Sequence, residues 1–487
     1  MSGNSEFRPV AIAGPGRLAA SLLQAMAEAD VPHVAAGALG NREDWQRKLG
    51  SACSLIYAAD ELEDGHLSQL ETYCIEERKA LLPVVRLSRK VMVGPLLGYE
   101  SAMTWESLLN QVHYDAVCQG EPPARGLSPF IWPILSNIAI HWLEQAAAAA
   151  GRPRGPHASQ VYLLDLETLE GRLYDAGPGP LETERVQACP VRDVKERLHR
   201  SEAMPDRDEL LSYFHNLTSE VTGLFHDWDD GGLEQLPLSV CRIRTVDPLS
   251  AGPARLLPEL TASGFDPREA RVEAGLAGVE AYLERMSARM SGKMRDHERA
   301  CVGFGAGQTF GEAVYRALLQ CLAELLELRL REHPVPPMRP WSGSGISDPY
   351  GRYCLQALQM LGGPAEMLEG EELLGCPVMW VRVGGFTYGG IGLSREGAVR
   401  HALQGALQAI QLGEISGTDA AAFPFAVKPV SRSFTAESSA PVRLKSVIST
   451  LAGSGIRLHV SDIRPRSVLS ENRLQLVSVM LREGSAQ

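Results

Sequence analysis

Short apolar runs separated by stretches of helical period dominate the first third of the chain. Pro9 to Ala13 is apolar, Gly14-Pro15-Gly16 breaks the run, and Leu18 to Glu28 carries apolar residues at helical spacing. Further runs at His33 to Ala36, Ser54 to Ala58 and Leu81 to Arg86 read as strands, with a helix over Leu67 to Arg78. Strands alternating with helices over short connections predict an open parallel sheet. A helix opening at Ser128-Pro129 runs to Ala150 and stops at Gly151 with Pro153 beyond, ordinary residues for a start and a stop.

Arg152 to His157 is rich in Pro and Gly and reads as a linker, Val161 to Thr168 predicts a strand, and Gly177 to Pro180 is another break. Residues 191–212 are highly charged and read as helical or partly mobile. The pattern changes from Leu217 onward. Two long helical stretches, Pro267 to Met290 and Phe310 to Arg331, each follow a glycine-containing turn, and a third, Arg395 to Gln411, follows Gly384 to Gly392. A Pro/Gly/Ser segment, Pro334 to Pro349, separates the second from the third. The end alternates helix and strand: Val442 to Ala452, Ile456 to Val460, Leu474 to Met480. The predicted class is α/β, with an open Rossmann-like sheet and its helices in 1–155, a connecting segment in 156–215, and a larger α+β domain in 216–487.

Length and composition narrow the function. A chain of 487 residues exceeds one small module, and 45% hydrophobic with 22% charged residues is ordinary globular usage. Lys and Arg number 47 against 59 Asp and Glu, a net charge of -12, which sets the chain against nonspecific nucleic-acid or anionic-membrane binding. The nine cysteines are scattered, with no C-x-x-C pair, so a zinc ribbon or a disulfide framework is not predicted; they read as buried, reduced thiols. The opening MSGNSEFRPVAIAG lacks the basic segment and apolar core of a signal peptide. The nearest candidate for a membrane span, Ile134 to Ala150, is interrupted by Asn137, His141, Glu144 and Gln145, short of the ~18 apolar residues needed. The expected location is the cytoplasm.

Candidate chemistry begins at Gly14-Pro15-Gly16-Arg17-Leu18-Ala19, a G-x-G-x-x-A turn between a strand and a helix. Such a turn suits a nucleotide phosphate on a helix N-terminus. It also suits a tight entry into a packed helix, and Val34 to Leu39 offers no carboxylate for a ribose. Both readings stay open, with Gly14 and Gly16 as a possible nucleotide-binding remnant. With SLIYAAD (Ser54 to Asp60), KALLPVVRL (Lys79 to Leu87) and SNIAIHWLEQ (Ser136 to Gln145), the segment resembles the ThiF-like fold of carboxylate-adenylating enzymes. Active members commonly carry paired zinc cysteines. Their absence here implies a degenerate copy kept for shape.

The second half is more informative. Val302 to Gly307 precedes EAVYRALLQCLAELLELR, and Gly389 to Ser394 precedes EGAVRHALQGALQAIQ; with the helix REARVEAGLAGVEAYLERM, this order of units resembles the YcaO family. That resemblance implies ATP-dependent activation of a backbone amide, which lets Cys, Ser or Thr side chains close as azoline rings. Active members carry S-x-x-E-x-x-E-R on the first helix. Here Glu280, Glu284 and Arg285 have the parts without the spacing: one register replaces the serine by Ala277 and the second glutamate by Leu283, the other replaces the serine by Gly278 and the first glutamate by Ala281. The glutamate of the second helix appears as Gln320. On the third helix the glutamate of E-x-x-Q appears as Gln408, with Gln411 retained. Neutral amides cannot balance Mg²⁺ and phosphate charge as carboxylates do. Glu280, Glu284 and Arg285 are therefore expected on a solvated helix face with i,i+4 support. No metal site and no catalytic residue is predicted.

Other constellations carry less. His215, His226 and His297 lack metal spacing, Asp227, Asp229 and Asp230 in HDWDDGG lack the rest of a calcium loop and read as a polar turn, and no G-x-S-x-G is present. The whole chain, with VYLLDLETLEG (Val161 to Gly171) and Leu217 to Leu260, resembles the thiazole-containing bacteriocin maturation proteins. That resemblance implies an accessory scaffold that presents a ribosomal precursor peptide to a separate YcaO-type cyclodehydratase. Its partners would be that enzyme, the precursor peptide or a second copy in a homodimer, with no nucleic acid and no membrane. The alternative is an ATP-dependent azoline-forming enzyme, the one reading in which ATP and Mg²⁺ are cofactors. The start close to the first strand and the absence of proline after Pro465 predict neither direct leader capture nor a catalytic proline-rich tail.

Overall fold

A computed structural model describes residues 10–28, 30–61, 65–98, 101, 103–118, 130–148, 159–176, 187–199, 206–290, 301–334, 336–341, 345–413, 426–428, 440–464, 469 and 473–483. The linker at 152–157, the break at 177–180, the helix start at Ser128 and His297 lie outside them. The chain divides into two compact units, one of residues 1–180, 219–226 and 246–256, the other of 181–218, 227–245 and 257–487.

The first unit is built on β1 (Val10–Ala13), β2 (His33–Gly37), β3 (Ser54–Ala59), β4 (Ala80–Leu87), β5 (Lys90–Val93), β6 (Leu97–Gly98), β7 (Gln160–Asp165) and β8 (Gly171–Asp175). Its helices are α1 (Arg17–Glu28), α2 (Arg42–Leu49), α3 (His66–Glu76), α4 (Trp105–Leu109), α5 (Tyr114–Val117) and α6 (Ile131–Ala148). The sheet runs β2-β1-β3-β4-β5-β7-β8, with β6 pairing β4. Strands β2, β1, β3 and β4 are parallel, but β5, β7 and β8 join antiparallel, so the sheet is mixed rather than parallel. Leu55, Tyr57, Leu81 and Val85 pack on Trp45, Leu70 and Trp105, while Ile12, Ile56, Leu82 and Val84 pack on Leu18, Leu135 and Trp142. Burial on both faces makes these strands continuous apolar runs instead of alternating ones. The strand at 160–165 extends this sheet, although its sequence position suggested a connecting segment.

The second unit contains β9 (Gln187–Pro190), α7 (Val194–Arg197), α8 (Arg207–Leu217), the end of β10 (Phe225–Asp229) from Asp227 on, β11 (Ser239–Thr245), β12 (Leu260–Gly264), α9 (Pro267–Met290), β13 (Cys301–Gly307), α10 (Phe310–Glu332) and β14 (Met338–Pro340). It continues with α11 (Pro349–Gly362), β15 (Glu366–Gly370), β16 (Val378–Val383), β17 (Phe386–Ile391), α12 (Arg395–Gln411), β18 (Ala426–Lys428), α13 (Ala440–Gly453), β19 (Ile456–Arg464) and β20 (Gln475–Glu483). Three sheets form, in the orders β10-β11-β12, β13-β20-β19-β9 and β14-β15-β16-β17-β18. Of the expected polar turn at HDWDDGG, His226 to Asp229 are instead the end of strand β10, where Asp227 and Asp229 pair with Arg244 and Arg242, and the turn itself falls at Gly231 and Gly232.

Thr309 caps α10 by accepting from the Glu312 N–H. From Phe310 to Ala323 that helix is buried nearly all round, against β13 and β20 on one side and α13 on another. Glycines permit the approach: a Cβ on Gly303 would stand 2.1 Å from Ala317 O, and one on Gly305 2.0 Å from Ala313 O. Of the expected buried thiols, six are buried and Cys53, Cys118 and Cys189 are half-buried, all of them free. Burial pushes Cys74, Cys241, Cys354 and Cys376 up to about 12, which keeps them unreactive.

Candidate functional site

The glycine turn leads into α1, whose first N–H groups would face an anion. A carboxylate of the chain itself lies there. Arg17 N–H donates to Asp60 Oδ2 at 2.8 Å and Leu18 N–H to Oδ1 at 3.2 Å. Asp60 follows β3, so the parallel sheet brings it beside the end of β1. Both glycines are explained by this packing: a Cβ on Gly16, at φ +92, would stand 2.2 Å from Asp60 Oδ2, and one on Gly14, at φ +131, 1.9 Å from Ala58 O.

On α9, Glu273 and Glu280 are two turns apart and share one face, which looks onto α10. Arg316 of α10 reaches both. Its Nε donates to Glu280 Oε1 at 2.6 Å, Nη2 to Glu280 Oε2 at 3.1 Å, and Nη1 to Glu273 Oε2 at 2.6 Å. Ala306 N–H of β13 adds a fourth donor, to Glu280 Oε1 at 3.1 Å. The side chains of Arg316, Glu273 and Glu280 are 0%, 4% and 11% exposed. The expectation of a solvated face is thus wrong for Glu280, because Arg316 supplies the counter-charge that makes its burial affordable. Glu284 and Arg285 do lie exposed.

One guanidinium serves two carboxylates, so one negative charge stays uncompensated. Burial pushes Glu273 up to about 7 against the pull of Arg316, and Glu280 also rises. Burial works against the charge on Arg316, but Glu280 and Glu273 hold it above its ordinary value. Further along α10, Gln320 accepts from Phe304 N–H at 2.6 Å and donates to Glu284 Oε2 at 3.0 Å.

The α12 glutamines are occupied with backbone. Gln404 Nε2 donates to Ser263 O at 2.9 Å and Gln408 Nε2 to Thr261 O at 3.3 Å, each also meeting the residue's hydroxyl. These carbonyls alternate along β12, on the edge away from β11, so two amides one helical turn apart close that edge. Gln411 accepts from Leu238 N–H at 3.0 Å and donates to Leu238 O at 2.8 Å and Glu234 O at 2.5 Å, clamping the loop before β11.

These residues do not fit ATP with Mg²⁺. Mg²⁺ takes hard, charged oxygen ligands in a tight octahedron. Glu280 holds a guanidinium and Glu284 an amide. The buried Oε1 atoms of Gln404 and Gln408 meet no donor among the described residues, but they are neutral carbonyls. Among the described residues no group of three or more His, Cys, Asp or Glu is placed to hold a metal.

Sequence reading missed Asp60, Glu273, Arg316, Gln404 and His113. A single arginine inside the apolar helix sequence AVYRALLQ was the available signal for the buried cluster. In the first unit, fully buried His113 meets His226, Nδ1 to Nδ1, at 2.9 Å, and its Nε2 meets Gly223 O at 2.7 Å. The carbonyl only accepts, so His113 carries its hydrogen on Nε2 and accepts from His226 through Nδ1. Burial holds His113 down to about 4.

No family model and no curated protein matches the chain. A heterocyclase in complex with substrate and cofactor matches with a TM-score of 0.61 at 12% identity, covering 97% of this chain and 80% of that one. The heterocyclase TruD matches with a TM-score of 0.54 at 16% identity, over 98% and 80%. The chain therefore has an α/β fold like that of these heterocyclases over nearly its whole length. A likeness to E. coli MccB covers 31% of this chain at a TM-score of 0.20, too low to carry an argument. Among the described residues no helix is long and apolar enough to cross a membrane.

Proposed function

We propose that this chain is a noncatalytic scaffold in the modification of a ribosomal peptide, presenting the precursor to a separate cyclodehydratase that forms thiazole or oxazole rings. The observation that carries this reading is the buried Arg316 guanidinium between Glu273 and Glu280. A carboxylate that the YcaO resemblance assigns to a metal-nucleotide site is neutralised by the protein itself. The Asp60 carboxylate against α1 supports the same reading for the glycine turn. In this proposal residues 1–155 are a degenerate ThiF-like domain and 216–487 a degenerate YcaO-like one, joined by 156–215. Gly14, Gly16, Glu280, Glu284, Arg285, Gln320, Gln408 and Gln411 are remnants of nucleotide sites.

Two measurements test it. Calorimetry with ATP and Mg²⁺ is expected to give no binding; micromolar affinity, about -8 kcal/mol, would need a site these side chains do not form. In a reconstitution followed by mass spectrometry, the chain alone should remove no water from the precursor. Added to the cyclodehydratase it should raise turnover through effective concentration. The heterocyclase fold favours the competing reading, an ATP-dependent azoline-forming enzyme. Ring formation by the chain alone, lost in Glu284→Ala, would establish that reading instead.

A further inference from the structure

The sheet β13-β20-β19-β9 ends on an incomplete strand pair. β9 pairs with β19 only from Ser461 to Arg464, and the final bond on that side runs from Val191 N–H to Val460 C=O at 2.8 Å. Backbone groups alternate from side to side along a strand, so those of Leu458 and Ile456 point the same way as Val460's. Among the described residues no strand lies beside them. The uncovered edge opens into a groove of about 680 Å³ between the segment Pro190 to Glu196, Ile448 of α13 and the stretch Leu458 to Ser461.

The two faces of this edge differ in chemistry. Leu458 and Val460 lie on the apolar side with Ile448 and Val194. On the opposite face Arg457 stands directly across from Arg482, and His459 across from Met480. Like charges directly opposite destabilise a strand pair. Among the described residues neither Arg457 nor Arg482 has an ion pair, nor has Arg192 at the mouth of the groove. Asp193 and Glu196 lie on the far wall, and Lys195 there is bonded to Ser449. Burial and the two arginines hold His459 below its ordinary range. In a chain of net charge -12, Arg457 and Arg482 put a pair of cations beside backbone groups that no strand among the described residues takes up.

We propose that the Ile456–Val460 edge of β19 is a docking site for an extended acidic peptide, which adds as a strand with apolar side chains toward Ile448 and Val194 and carboxylates toward Arg457 and Arg482. Main-chain bonds would give affinity and the alternating side chains specificity. A nucleic acid would meet the arginines but could not complete the sheet. The inference rests on the peptide-presentation reading above and gives it a location.

The test titrates the full-length chain into a fluorescein-labelled peptide of alternating Val and Glu and follows anisotropy. Saturable binding is expected, weakened about tenfold or more by Arg457→Glu with Arg482→Glu. The same peptide N-methylated on alternate amides should fail to bind, which tests the strand addition without altering the protein. No binding to the unaltered chain overturns the proposal. So does equal binding of an alternating Val-Lys peptide or of oligothymidylate. A dimer by sedimentation that the arginine variants dissociate would assign the edge to a second copy and overturn it too. Ring formation in the reconstituted system separates the two readings. Peptide binding at the edge without stimulation of turnover sinks presentation and keeps the edge. Stimulation that survives the arginine variants sinks the edge and keeps presentation.

Discussion

Each unit of the molecule holds one charged side chain against groups of opposite sign from its own chain. In the first unit a carboxylate, Asp60, lies against the amides of α1. In the second a guanidinium, Arg316, lies against the carboxylates of α9. The difference is depth. The bond to Arg17 N–H is exposed, so water screens it and a competing anion could reach it, whereas the side chain of Arg316 has no exposure at all. A shallow filling can be removed with little effect on the fold; a deep one has become part of it.

The largest effect should follow Arg316→Leu, which leaves Glu273 and Glu280 buried without their counter-charge. A loss of about 3–5 kcal/mol is expected in urea unfolding. Replacing all three by apolar residues should recover most of it, and failure to recover would mean that the charges also direct packing. Next comes Gln411→Ala, which removes three bonds to the 234–238 loop and should cost about 1–3 kcal/mol.

The two units should also respond oppositely to pH. Glu273 rises from 4.5 to about 7 on folding, so the folded state holds its proton more tightly than the unfolded chain. Its contribution favours folding most below pH 4.5 and declines as pH rises to about 7. His113 falls from 6.5 to about 4, so its contribution is complete above pH 6.5 and is lost as pH falls toward 4. Melting temperatures across this range should lose the declining limb in Glu273→Gln and the rising limb in His113→Phe. The smallest effect belongs to Asp60→Asn, about 1 kcal/mol or less at this screened helix end. That variant should gain measurable pyrophosphate binding by calorimetry, and its absence would mean the seat was never open to anions.

The parallel strands and the long helices were legible because period and glycine turns are local properties. The antiparallel β5 and β8 were not, and β7 was read as a strand without its place in the sheet, since strand pairing is set by residues distant in sequence. Glu280, Gln320 and Gln408 were legible as positions but not as partners. Glu280 looked like one member of a solvated row because Arg316, the residue that allows its burial, lies on another helix. Asp60 comes just after an apolar strand, with nothing local to tie it to Arg17 at the start of α1.

The bare contacts of Gly303 and Gly305 with α10 have a dynamic consequence. With no side chain between helix and strand, α10 cannot slide or roll over β13 without the two backbones colliding. They must move as one body, and any opening that separates them must break the core of the second unit. The amides of β13 should then belong to the most slowly exchanging set in that unit, released by global unfolding rather than by local breathing.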